Sequence, residues 1–292
     1  MSGDEHGRHP DLYREIVRLR QEGRKAALAT IIRRLGSAPR KDNAKMLIRE
    51  DGSSLGSVGG GCVEAEIWQV AQKVMRTGQP DLLKYHLTDE DVEEQGLVCG
   101  GSVELFVEPI LSDPKAIILG AGHLGQATAE VAGRVGFRVS VIDDRENFAN
   151  RDRFPTAEEV LVRPFEEGLS DLDIPEDSFL LIVTRGHRHD QIALEAAIQP
   201  PARYVGLVGS RRKIRILVEK LLQKGYSPEA FRNLYAPIGI EIGSETPQEI
   251  AVSVVAEWIA IIKGVHERSD KQLYIMKLLE KAAKAKVGVG PP

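Results

Sequence analysis

From residue 115 onward, short apolar runs alternate with stretches whose apolar residues recur every third or fourth place. KAIILG, FRVSVIDD, EEVLV, FLLIVT and RYVGLVG read as buried strands, and HLGQATAEVAGRVG, QIALEAAIQ and RRKIRILVEKLLQKG as the helices that separate or follow them. That order demands right-handed crossovers and hence a parallel, doubly wound sheet. Further on, APIGIEIGSETPQEIAVSVVAEWIAII predicts a glycine-punctuated loop and then a long amphipathic helix. Thr246, Pro247 and Glu249 supply the cap, the first-turn proline and the early acid that open such a helix. Nearer the amino end, VEAEIWQVAQKVM carries Val63, Ile67, Val70 and Val74 at helical spacing.

The first strand-to-helix turn holds Gly120, Gly122 and Gly125 in GAGHLG, and Asp143 follows about 20 residues on, at the end of the second strand. Glycines between a strand and a helix, with an acid at that distance, predict a Rossmann-like domain. The fold class is therefore α/β: a smaller N-terminal α+β domain over 1–112, the Rossmann-like doubly wound domain over 113–264 and a C-terminal helical tail over 265–292. The boundary falls at the proline-marked connector LSDP, residues 111–114. MSGDEHGRHP is expected to fray, and KAAKAKVGVGPP to run from a basic helix end into a loose tail.

Ligands of open parallel sheets lie at the carboxyl edge of the strands. Gly122 there lets a diphosphate approach the helix amino end, and Asp143 suits a ribose hydroxyl pair. NAD(P) is one candidate ligand, and a phosphate-bearing pterin is another. Two further loops leave the same edge, TRGHRHD and GSRRK. Arg185, His187 and Arg211, with Ser210, are expected to surround one anionic group. Arg212 and Lys213 divide evenly between that role and a solvated helix face. Asp190 is expected to cap the following helix, and a metal site built on His187 and His189 lacks a third ligand. Glu241, in the glycine-punctuated loop, reads as a surface carboxylate.

Charge and length narrow the partners. A net charge of -4 over 292 residues argues against nucleic acid, and no apolar run approaches the roughly 20 residues that span a bilayer. Small molecules and proteins remain. The chain has 2 cysteines, which points to a reducing cytoplasm. Cys62 follows Gly59, Gly60 and Gly61, and Cys99 precedes Gly100 and Gly101. Glycines remove neighbouring side chains, so both thiols are presented and not packed. Cys62 at a helix start gains thiolate character from the unsatisfied amides and the helix dipole. A disulfide between the two is read as a minor, redox-dependent state.

Taken together, GGGCVEAEI, CGGSVELFVEP, GAGHLGQ, VIDDRENFANRDRFP, TRGHRHD, GLVGSRRK and APIGIEIGSETPQEIAVSVVAE resemble the XdhC/CoxI family, from about Tyr13 to about Ile262. These are accessory proteins of xanthine dehydrogenase and related molybdenum hydroxylases. The resemblance implies a chaperone that binds molybdopterin in its molybdenum cofactor form, protects it during sulfuration and inserts it into an apo hydroxylase. A cysteine desulfurase as sulfur donor and a homodimer are expected with it. Cys62 is then the candidate molybdenum contact or sulfur relay, with Cys99 as helper. Gly59, Gly60, Gly61, Gly100, Gly101, Gly120, Gly122, Gly125, Asp143, Arg185, His187, Ser210 and Arg211 are the candidate cofactor-binding residues. An accessory protein is expected ahead of a turnover enzyme. The alternatives are an NAD(P)-dependent oxidoreductase using the Rossmann-like domain, and a redox-sensing interaction module.

Overall fold

Strand β1 (Ala26–Gly36) organises the first of two units, Met1–Asp113, in a computed structural model that describes residues 11–36, 44–59, 62–87 and 101–287. Around it lie β2 (Lys45–Arg49), β3 (Ser54–Gly56), β4 (Asp81–Leu87) and β5 (Gly101–Ile110), in the order β3-β2-β1-β5-β4, every neighbouring pair antiparallel. Alternation sends Ala27, Ala29 and Ile31 to one face, with Met46, Ile48, Leu105 and Val107. There α2 (Cys62–Thr77) covers them with Ile67, Ala71 and Val74. On the other face Ala26, Leu28 and Leu47 pack against Leu19 of α1 (Leu12–Gln21), a helix the hydrophobic pattern did not mark. Asp11 caps α1 by accepting the Tyr13 N–H, and Glu15 ties it to β2 through Arg49 at 2.7 Å.

The second unit, Pro114–Pro292, is built on β6 (Lys115–Leu119), β7 (Arg138–Asp143), β8 (Glu159–Val162), β9 (Phe179–Ile182), β10 (Tyr204–Leu207) and β11 (Leu234–Tyr235). They run parallel in the order β11-β10-β9-β6-β7-β8. β11 escaped the sequence reading because two residues carry no periodicity. Helices α3 (His123–Arg134) and α6 (Pro247–Lys263) cover one face, with Ala129, Val254 and Trp258 in its core. Helices α4 (His187–Ala197), α5 (Arg211–Gln223) and α7 (Asp270–Val287) cover the other.

The helical tail expected over 265–292 is no separate appendage as far as the described residues run. Ile275 and Leu279 of α7 are buried in the same core as Leu194 and Leu217, because the helix has an apolar side to hide. Polar bonds add to this. Glu257 of α6, fully buried, accepts from the Tyr204 hydroxyl (2.6 Å), the Gly239 N–H (2.9 Å) and Gln272 Nε2 of α7 (2.5 Å). One carboxylate thus joins the sheet, the loop after β11 and the last helix. Burial, then the nearby Glu257 charge, push the Tyr204 phenol well above its ordinary pKa. Among the described residues no helix is long and apolar enough to cross a membrane.

Candidate functional site

β6 and β9 are neighbours, yet the helices that follow them go to opposite faces of the sheet: α3 to the side of Trp258, α4 to the side of Leu217. Such a divergence opens a crevice at the carboxyl ends of the strands. The glycines of the first turn have separate physical jobs. Gly120 has φ +121, and a Cβ there would run into Val183 O. A Cβ on Gly125 would fall on Gly120 O, so this glycine lets the helix sit tightly on the turn. Gly122 faces open space, with nothing within 4 Å of an added Cβ.

Gly122 is the N-cap of α3 and Gly186, with φ +82 and equally open space, is the N-cap of α4. Neither helix end receives a side-chain cap, whereas Ser210 caps α5 by accepting the Lys213 N–H at 3.3 Å. Two adjacent sets of orphan N–H donors therefore face the crevice. His187, Arg188, Arg211 and Arg212 are exposed in the first turns of α4 and α5 and form no ion pair among the described residues. The arrangement suits an anion.

Four expectations change on the way from pattern to coordinates. Asp143 is only 1% exposed, and both of its oxygens are in use. Oδ2 accepts the Ala121 N–H (2.8 Å) and Oδ1 accepts Arg145 N–H (3.1 Å) and Nε (2.8 Å). The acid placed for a ribose instead fixes the glycine turn to the end of β7. Arg185 is likewise engaged. Its Nη1 and Nη2 form a two-pronged pair with Asp144, the Nη2 to Oδ2 distance being 2.6 Å. That guanidinium holds the Asp144 carboxyl at about 2, well below the usual range.

Asp190, expected as a cap, lies inside the first turn of α4, because the helix starts at His187 under Gly186 and not at Gln191. Its buried carboxylate accepts from Thr184 Oγ1 (2.8 Å) and pairs with Lys213 Nζ (2.6 Å). Lys213 is therefore an internal cation and not part of a solvated face. His189 also turns to protein, with Nδ1 3.1 Å from Arg185 O. Among the described residues no three His, Cys, Asp or Glu side chains form a metal-binding group.

In the first unit, α2 starts at Cys62. Ser57 donates to Glu64 in the first turn of that helix at 2.6 Å, and Val58 is buried. Gly59 has φ +155, and Gly101 opens β5 between Gly36 and Leu87. Gly60, Gly61, Cys99, Gly100 and the side chain of Cys62 lie outside the described residues. Sequence reasoning missed Asp144 and Arg145, although the run Asp143-Asp144-Arg145 at a strand end was the available signal.

Residues 116–258 match the XdhC Rossmann domain, and residues 19–86 match the XdhC and CoxI family. The chain is 34% identical over 252 residues to an uncharacterised Escherichia coli protein, YqeB, covering 86% of this chain and 46% of that one. It is 25% identical to a Bacillus subtilis protein described as a probable xanthine dehydrogenase subunit, covering 85% of this chain and 96% of the relative. It is also 25% identical to the Escherichia coli molybdenum cofactor insertion chaperone PaoD, covering 92% and 96%.

Proposed function

The chain belongs to the XdhC and CoxI family, and from that premise we propose that it binds molybdenum cofactor and delivers it to an apo molybdenum hydroxylase. The observation that carries this reading is the pair of uncapped helix ends at Gly122 and Gly186, opening on one crevice beside Arg188, Arg211 and Arg212. A cofactor phosphate needs such donors and a glycine turn that lets it come close. PaoD, a relative aligned over most of both chains, is named for cofactor insertion.

In this reading the phosphate rests on the amino ends of α3 and α4, with Arg211 supplying charge-assisted hydrogen bonds. Cys62 at the start of α2, with Cys99 as a second thiol, is the group proposed for sulfur handling. A thiolate is a ligand molybdenum accepts and a carrier suited to sulfur relay. The chain then keeps the cofactor from water while a cysteine desulfurase provides its terminal sulfur, acts in the cytoplasm as a homodimer, and serves a hydroxylase of xanthine dehydrogenase type.

A nicotinamide dinucleotide is the weaker alternative. It calls for a carboxylate free to accept two ribose hydroxyls, and the one at the end of β7 is spent on Ala121 and Arg145. Reconstitution tests the proposal. Cofactor-loaded protein mixed with apo hydroxylase should restore hydroxylase activity faster than free cofactor does, and restoration no faster than free cofactor would sink it.

A further inference from the structure

The Asp144–Arg185 pair joins the residue after β7 to the loop after β9, and these two strands flank β6. It therefore crosses the carboxyl end of β6, where Gly120, Ala121 and Gly122 turn into α3. Arg185 Nη1 also approaches Asp143 Oδ1 to 3.8 Å, and Asp143 is the acid that binds the Ala121 N–H. His189 braces the arginine from behind. Its Nδ1 is 3.1 Å from Arg185 O and its Nε2 is 3.3 Å from Arg185 Nη2.

This pair differs from its neighbours in one respect. The carboxylates of Asp143 and Asp190 are sealed, at 1% and 0% exposure, whereas the side chains of Asp144 and Arg185 are 27% and 39% exposed. An anion that arrives in the crevice meets an arginine whose present partner can leave.

We propose that Asp144 is a built-in stand-in for the ligand's phosphate: a phosphate or pyrophosphate group entering the crevice takes Arg185 over from Asp144. This rests on reading the crevice as a ligand site, and it assigns the recognising residue and the device that sets its threshold. A carboxylate and a phosphate offer a guanidinium the same pair of oxygens, so the exchange keeps the two-pronged geometry. Arg145 Nε lies 4.0 Å from Asp144 Oδ1 and is the cation to which the released carboxylate turns. Because Arg185 keeps Asp144 ionised far below neutrality, Asp144 competes as an anion throughout the neutral range. Monovalent anions displace Asp144 poorly, and a doubly charged phosphate held by the helix ends as well displaces it readily.

The test is calorimetric titration of the full chain with inorganic pyrophosphate, in the wild type, Asp144→Ala, Arg185→Ala and the double variant. Removing the stand-in should tighten pyrophosphate binding by about 10-fold, the size of one charge-assisted hydrogen bond, and removing Arg185 should weaken it. The double variant should bind no more tightly than Arg185→Ala alone. Equal or weaker binding by Asp144→Ala overturns the proposal, and so does a gain that survives in the double variant, since the gain would then be bulk charge. If Asp144→Ala melts early, the nearly isosteric Asp144→Asn carries the same comparison. A chain that co-purifies with pterin but shows no gain loses the stand-in alone. A chain that shows the gain but carries no pterin supports the stand-in and loses the cofactor reading alone.

Discussion

Lys213 Nζ sits 2.6 Å from Asp190 Oδ2, so the first turn of α5 is tied to the first turn of α4 through a carboxylate with no solvent exposure. The same ammonium donates to Val208 O at 3.1 Å, and Thr184 satisfies the other carboxylate oxygen. The starts of α4 and α5 both depend on this link. Lys213→Ala leaves Asp190 buried without its cation, which should destabilise the second unit by about 3–5 kcal/mol. Urea denaturation measures it, and a loss within the range of ordinary surface substitutions, about 0.5 kcal/mol, would contradict the account.

The three glycines of the turn should separate folding from binding. Gly122 has φ −69 and open space, so Gly122→Val is sterically free and should melt near the wild type while losing affinity for phosphate-bearing ligands. Gly125→Ala drives a methyl onto Gly120 O and should lower the melting temperature. Thermal melts with a parallel binding titration check both, and a Gly122→Val protein that keeps full affinity would remove the turn from the site.

The parallel sheet, its glycine turn and the capping of α6 were legible because each rests on local patterning: apolar runs, a glycine triplet and Thr246-Pro247-x-Glu249. What escaped depends on contacts distant in sequence. Lys213 looks like the third member of a basic run until Asp190, far back in the chain, folds beneath it. Asp143 fits the spacing of a ribose acceptor, and only the fold shows Arg145 curling back to occupy it. Arg185 was correctly placed at the strand edge, but its partner Asp144 comes from another strand's loop. β11 was too short to have a rhythm, and α1 shows its apolar side only once the sheet is there to receive Leu19.

In the first unit, acid should loosen the hold of α1 on β2. Hydrogen bonds from Arg18, then Arg49, lower Glu15 from 4.5 to about 2. A carboxyl depressed in the folded state contributes stability above its unfolded value, and loses it as pH falls from about 4.5 toward about 2. Glu15→Gln should therefore cost stability at neutral pH and progressively less along that acid limb. Chemical denaturation at stepped pH reads this out, and a difference that stays constant down to pH 2 would contradict it.

Cys62→Ala should fold as the wild type does yet lose most of its cofactor retention and transfer, because α2 is held by Ile67, Ala71 and Val74 in the core and by Ser57 on Glu64. Serine at the same place should be nearly as poor, since an alcohol is neither a soft ligand nor a sulfur carrier. Delivery of active hydroxylase by both variants at the wild-type rate would exclude a thiol role.

The central claim is that this chain carries molybdenum cofactor, and the most direct measurement is the pterin content of the purified protein. It is made in cells that produce the cofactor, oxidised with acid iodide and assayed for fluorescent pterin, with NAD(P)H titrated into a second portion. The account predicts pterin in stoichiometric proportion to protein and no saturable NAD(P)H binding. Protein free of pterin that binds NAD(P)H saturably would contradict it and return the crevice to a dinucleotide.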